Sequence, residues 1–395
     1  MRISTVTFQY DAVNQMDALE TALGQTQQQL STGLKIRSAA DNPIGMAQIN
    51  QMNVEISAST QYVTNSNTAQ TNLQLEEQAL SNASNIMQNA NSLAVEANNS
   101  SLTAANRRDI ATQLQQDLQS LASIGNSTDG NNNYLFGGYS NTSPPFAISG
   151  NTVTYNGSNQ VSQVKISANQ SLSSGDSGST AFMNVLTGNG TFATSAASTN
   201  TGSASIGGGN VINASQWVPD TYTISFTDPT DYQVTDSSGN TVASGTYTSG
   251  DTIAFNGVQV TLNGTPAAGD QFTLAPAGTT SAFSAISNLI AALTSTTLNQ
   301  GQLTTQINAA VQQIQNSIAN FSNVSASVGS RLNAITAAQS TATTVQTTLK
   351  ANVGTLQDTD YAAATTQLST QELALQAAQA SYASLQKLSL FNYLR

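Results

Sequence analysis

The chain has 395 residues, a formal net charge of −11 and only 8% charged side chains, with no histidine and no cysteine. An acidic surface of this kind does not displace the counterions of a nucleic acid, so no nucleic-acid partner is expected. Without imidazole or thiol there is no Ser/His/Asp or Cys/His catalytic set, no thiolate–imidazole zinc site and no disulfide, so the expectation is a chain with no enzyme activity, cofactor or metal.

Residues Met1 to Tyr10 mix polar and apolar side chains. A cleaved secretory signal needs a run of about 7–15 apolar residues after its basic start. Nor does any stretch approach the ~20 apolar residues that span a bilayer. The expectation is no membrane insertion, and a chain that is soluble or leaves the cell by a route that reads no cleaved signal.

The first zone, from Ile3 to about Leu135, is helical in its periodicity. Ile3, Val6, Tyr10, Val13, Met16, Leu19, Leu23, Leu30 and Leu34 form one stripe. Gly33 and the Asp41-Asn42-Pro43 turn break it. A second stripe runs from Met52 to Ala97 in steps of three and four, a heptad-like seam with small and polar members. A third, Ile110 to Ile124, ends at Gly125, a residue suited to a left-handed helix cap.

The middle zone, from about Phe136 to Ala282, holds every proline except Pro43. Proline costs ~3 kcal/mol inside a helix, so this zone reads as strands and turns. Tyr222, Ile224 and Phe226 alternate, followed by Tyr232 and Val234, the turn Asp236–Asn240, then Val242 and Tyr247. Ile253 and Phe255 precede Asn256-Gly257, and Val258, Val260 and Leu262 follow it, the pattern of a tight hairpin. Phe272 and Leu274 close the zone. The Gly/Ser/Thr-rich stretch Thr187–Asn210 reads as loop-like or flexible, a place where the all-β insertion could split in two, and its order is left open by the sequence.

The last zone, Phe283 to Arg395, returns to helical spacing. A seam from Leu303 to Leu356 implies roughly 75–80 Å of helix. After Asp358-Thr359-Asp360, a final stripe places Tyr361, Leu368, Leu375 and Tyr382 at intervals of seven. The fold class expected is α+β: a long antiparallel helical coiled-coil or bundle rod from both chain ends, with a central all-β insertion domain. The outermost helices are marginal alone and gain by packing against copies of themselves or partner subunits.

Few groups invite catalytic or binding chemistry. Glu76-Glu77 and Asp358/Asp360 are expected to be solvated or to cap helices. Asp228, Asp231 and Asp236 lack the spacing of a calcium loop and read as turn residues. Gly207-Gly208-Gly209 has no following Lys-Ser/Thr and reads as a loop. Trp217 reads as an anchor of the β domain, with a sugar-stacking platform as the rival.

Leu30-Ser31-Thr32-Gly33-Leu34-Lys35-Ile36-Arg37-Ser38-Ala39-Ala40-Asp41-Asn42-Pro43-Ile44-Gly45 resembles a segment of the bacterial flagellin family. Asn133-Tyr134-Leu135-Phe136-Gly137-Gly138 with Pro144-Pro145-Phe146, Ala377–Ser381, and the ending Leu388–Leu394 resemble its hook–filament junction branch. The resemblance implies three layers. Residues 1–42 and 358–395 would form an inner coiled coil, 43–140 and 283–357 a helical rod, and 141–282 an outward β domain. It implies a secreted structural subunit of the extracellular flagellum, exported unfolded through the flagellar channel. Its partners would be hook-associated protein 1, flagellin, copies of itself in a ring, and an export chaperone and export apparatus. A flagellin filament subunit and a secreted adhesin or glycan-binding module are the alternatives. The residues expected to carry subunit assembly are Ile3, Val6, Val13, Leu19, Leu23, Leu375, Tyr382, Leu385, Leu388, Phe391 and Leu394.

Overall fold

Residues 5–387 are described in the structure, a computed structural model of the chain. Three helices come first: α1 (Thr5–Thr32), α2 (Pro43–Ala97) and α3 (Ala104–Gly125). Two hairpins follow, β1 (Phe146–Ser149) with β2 (Thr152–Tyr155), and β3 (Gln163–Ser167) with β4 (Gln170–Ser173). A π-helical turn, Ser179–Met183, leads into β5 (Val185–Leu186), β6 (Phe192–Ala196), β7 (Ser205–Ile206) and β8 (Asn210–Val211). Next come β9 (Tyr222–Phe226), β10 (Asp231–Thr235), β11 (Thr241–Thr246), β12 (Thr252–Phe255), β13 (Val258–Asn263), β14 (Gln271–Pro276) and β15 (Thr279–Thr280). Helices α4 (Ala282–Thr294), α5 (Gln300–Gln357) and α6 (Tyr361–Lys387) end the chain. Long helices at both ends thus enclose an antiparallel β region, as the periodicity implies. Among the described residues, no helix is long and apolar enough to cross a membrane.

The chain divides into two compact units, residues 1–64 with 339–395, and residues 65–338. The second unit has two cores. In the first, Leu73, Leu80 and Met87 of α2 pack with Leu114, Leu118 and Leu121 of α3, Ile286 and Leu289 of α4, and Ile307 and Ile314 of α5. Phe182 of the π-turn is fully buried among rings, 5.0 Å from Phe136, 5.3 Å from Phe146, 5.6 Å from Phe283 and 5.2 Å from Phe321. Phe146, Val153 and Ile166 of the two hairpins join this helical core rather than the β core downstream. Helix α4, whose apolar face packs on α3, is the element that the long-seam reading passes over.

The second core is all β. A five-stranded antiparallel sheet runs β11-β10-β9-β14-β6, and a smaller one runs β12-β13-β7, with β8 also on β13. Tyr222, Ile224 and Phe226 face inward on β9 while their neighbours stay half-exposed, the period of two expected of a strand with one buried face. Asn256 and Gly257 both take positive φ, 42° and 76°, between the paired Phe255 and Val258, as a type I′ hairpin requires. Trp217 lies 5.6 Å from Phe192 and 5.7 Å from Tyr222, which places it as an anchor of this core.

The Thr187–Asn210 stretch, loop-like or flexible by composition, keeps loops at 187–191, 197–204 and 207–209 but also contributes β6 and β7 to the β core. Phe192 is fully buried, β6 pairs with β14, and β7 pairs with β13. The reason lies in helix α5, whose amide side chains hold carbonyls of this stretch and of the π-turn and β5 that lead into it. Gln302 Nε2 donates to the carbonyls of Ala197, Ser198 and Asn200 at 3.0–3.2 Å. Asn316 Nδ2 donates to Leu186 and Gly188, at 2.8 and 2.7 Å. Asn320 Nδ2 does the same for Thr180 and Ala181, at 3.2 and 2.8 Å. A segment with little apolar content is ordered because its backbone acceptors have designated donors.

Phe182 has no room to be replaced. Phe182→Ala is expected to lower the unfolding free energy of the full chain by about 3–5 kcal/mol, read as a lower urea midpoint.

Candidate assembly surface

The first unit is built on a reversal shared by both chain ends. Helix α1 stops at Gly33, which takes φ +73° while its N–H donates to Gln29 O at 2.8 Å. That is the left-handed helix cap glycine favours. The chain then runs antiparallel to the segment joining α5 and α6. Lys35 N donates to Gln357 O at 2.6 Å, Thr359 N donates to Gly33 O at 2.8 Å, and Leu34 faces Asp358. Asp360 Oδ1 accepts from Ala362 N and Ala363 N at 2.9 and 3.1 Å, capping α6. The capping role expected of this acidic pair therefore falls to Asp360.

The rest of the Leu30–Gly45 motif closes the turn. Ile36 is buried, and a Cβ on Gly45 would lie 2.7 Å from its Cδ1, so glycine lets the start of α2 pass beneath it. The Asp41 carboxylate accepts from the N–H groups of Arg37 and Ser38, both at 3.0 Å. These bonds hold its carboxyl below the usual carboxylate range. Their contribution is present above that range and is lost as pH falls through the lowered value. Asn42 Oδ1 accepts from Gly45 N at 2.9 Å and caps α2, with Pro43 at the first helical position.

Because the end of α1 meets the start of α6, the two helices pack antiparallel. At 1.5 Å per residue that register sets Leu19 level with Leu375, and Val13 close to the height of Tyr382. Of the expected assembly residues, Val13 is exposed, and Leu19, Leu23, Leu375 and Tyr382 are half-buried. Val6 and Leu385 lie within α1 and α6. Ile3, Leu388, Phe391 and Leu394 fall outside the described residues.

This unit buries little. Among its described residues the buried apolar side chains are Ile36, Ile49, Ala342 and Ala364. Phe8 is 51% exposed, Tyr10 68%, Tyr361 56% and Leu373 68%, and Ile44, Val54 and Val345 are exposed as well. Sequence reasoning from one stripe per helix missed Phe8, Ile44, Val54 and Leu373 as surface candidates. The available signal was apolar residues on a second helix face, as with Leu373 two positions before Leu375.

The comparison that decides the family is with a solved structure, that of Xanthomonas campestris FlgL. It is 35% identical, with a TM-score of 0.70 over 76% of this chain and 98% of that one. The chain belongs to the FlgL family of flagellar proteins. The Legionella pneumophila flagellar junction protein FlgL is 27% identical over 78% of this chain and 99% of its own, with a TM-score of 0.70. Flagellar hook-associated protein 3 of Salmonella typhimurium is 29% identical over 146 residues, 37% of this chain. That match spans 46% of the Salmonella protein's length.

Three family models match along the chain. The bacterial flagellin N-terminal helical region covers residues 3–141, and the C-terminal helical region covers 311–394. The D2-like domain of flagellar hook-associated protein 1 covers 195–276, the span of the all-β core. The FlgL-family motifs divide their work between the units. Leu30–Gly45 builds the reversal of the first, whereas Tyr134–Gly138 seats the buried Phe136 in the helical core of the second.

Gly33→Ala forces a side chain into a left-handed backbone 3.0 Å from the Tyr361 hydroxyl. It is expected to cost about 1–2 kcal/mol locally and to raise protease cleavage between residues 33 and 42, read by mass spectrometry of timed digests.

Proposed function

We propose that the chain is a structural subunit of the bacterial flagellum, placed where hook meets filament. The observation that carries this reading is the contrast between the two units. One encloses two packed cores, while the other leaves nearly all of its large apolar side chains exposed or only half-buried on paired helices. Apolar surface of that extent on a soluble chain marks a face that a partner covers. Burial returns about 25 cal/mol per Å2, so ordering marginal helices and joining neighbouring subunits become one event.

The neighbours in this reading are hook-associated protein 1 on one side, flagellin on the other, and copies of this chain within a ring. Residues 1–42 and 358–395 form the polymerising layer, and 43–140 with 283–357 the second; of the 141–282 region expected as a third layer, the hairpins of 146–173 and the π-turn belong with the second, and the β core of 192–274 is the third. Delivery to the cell exterior uses the flagellar export apparatus and a chaperone that covers the same apolar helices beforehand. The names of the relatives and the match to a hook-associated domain over 195–276 support this set of partners.

Immunogold electron microscopy with antibody to residues 195–276 tests the location. A single narrow band between hook and filament is expected. Label along the whole filament would instead make the chain a filament subunit, and unlabelled appendages would remove the flagellar reading. A Leu375→Asp, Tyr382→Asp double variant is expected to lower incorporation at least about tenfold, because each carboxylate must be desolvated on packing. Wild-type incorporation of a variant that retains the folded β core would overturn the role given to α6.

A further inference from the structure

Glu76 is expected from sequence to be solvated, and the structure contradicts this: its side chain is 1% exposed. It projects from α2 toward the loop between β4 and the π-turn. Its Oε2 accepts from Asp176 N at 3.2 Å. Its Oε1 has no hydrogen-bond partner among the described residues, and the side chain lines a cavity of about 280 Å3.

The charged groups around it are unevenly matched. Asp176, on the loop, is ion-paired with Arg331 of α5. The same guanidinium donates through Nη1 to the carbonyls of Ser173 and Gly175, at 3.4 and 3.1 Å. Asp129, which also lines the cavity, accepts from Asn131 N and Asn133 N of its own turn at 2.8 and 2.9 Å. Glu77 on α2 and Lys165 on β3 are exposed. Arg331, ion-paired with Asp176, and the Asp176 N–H both favour an ionised Glu76, but burial and the Asp176 carboxylate outweigh them. A buried carboxylate in that position carries a desolvation cost and repulsion from Asp176.

We propose that Glu76 is a proton-operated latch: neutral, it pins the 173–177 loop between α2 and α5, and ionised, it expels that loop. The proton comes from solvent and returns to it, and no other group changes. Burial first, and the neighbouring Asp176 carboxylate second, push the Glu76 carboxyl well above its ordinary value of 4.5. A carboxyl raised in the folded state favours folding while it holds its proton and loses that contribution as pH rises through the raised value. The latch is thus closed in acid and opens toward alkaline pH. The loop it holds leads directly into the π-turn that carries Phe182, so release would loosen the entry to the aromatic core.

Hydrogen exchange of the Asp176 amide, whose acceptor is Glu76 itself, reads the latch in the full-length protein. With intrinsic rates corrected, protection is expected to fall by up to about tenfold per pH unit between the ordinary carboxyl value of 4.5 and the raised Glu76 midpoint, and to level off above it. Glu76→Gln, a neutral isostere, should keep the loop protected with no such pH dependence. Asp176→Asn removes the like charge and should move the wild-type midpoint downward. Three results would overturn the latch: wild-type protection flat to about pH 9, wild-type pH dependence persisting in Glu76→Gln, or loss of the fold or of loop protection in Glu76→Gln at about pH 6. Added Ca2+ restoring protection at alkaline pH would also overturn it, by assigning the cavity to a cation instead of a proton.

Discussion

The pairing of the chain's first helical segment with its last is the constraint on which the rest depends. In the first unit α1 meets α6, and Ser59 of α2 donates its hydroxyl to Ala342 O of α5 at 3.0 Å. In the second unit, the α2 and α5 seams share one core with α3 and α4. Closing a loop of some three hundred residues costs on the order of 5 kcal/mol, and each doubling adds only about 0.6. Once the ends pair, the size of what lies between them is energetically almost free. A large β region can therefore be carried in the middle of a helical protein without weakening the pairing in proportion.

The scarcity of charge follows from how the second unit is held. Lys and Arg can satisfy carbonyls, but each brings a charge that must be paired or hydrated. Gln302, Asn316 and Asn320 do the same work without charge, each donating to two or more carbonyls of the β-side segments. Arg331, the cation used in this way, comes with Asp176 as its counter-ion. The amide-rich, charge-poor composition thus has a structural cause within one subunit.

The two units differ in what they complete alone. The aromatic cluster around Phe182 and the β core around Tyr222 and Phe226 are closed to solvent. The α1–α6 pair has an ordered reversal but leaves Phe8, Tyr10, Tyr361 and Leu373 uncovered. Its turn is over-determined by Gly33, Asp41, Asn42 and Asp360, while its faces are under-filled. A unit built this way presents its helices in a set antiparallel register with surface left to pack.

Sequence alone determined the helix–β–helix order, because spacings of three and four, alternation, and the placement of proline are local consequences of backbone geometry. It also determined the Asn256-Gly257 hairpin and the breaks at Gly33 and Asp358–Asp360, where single residues dictate φ or supply a cap. It could not reveal that Thr187–Asn210 is ordered, since the donors that order it lie about a hundred residues away on α5. Nor could it show that the hairpins at 146–173 belong to the helical core, or that Glu76 is buried beside Asp176. Glu76 and Glu77 are identical in type and adjacent, and only tertiary packing turned one to solvent and the other inward. Local sequence specifies which backbone forms; which face of it loses water is decided by the distant segments that pack against it.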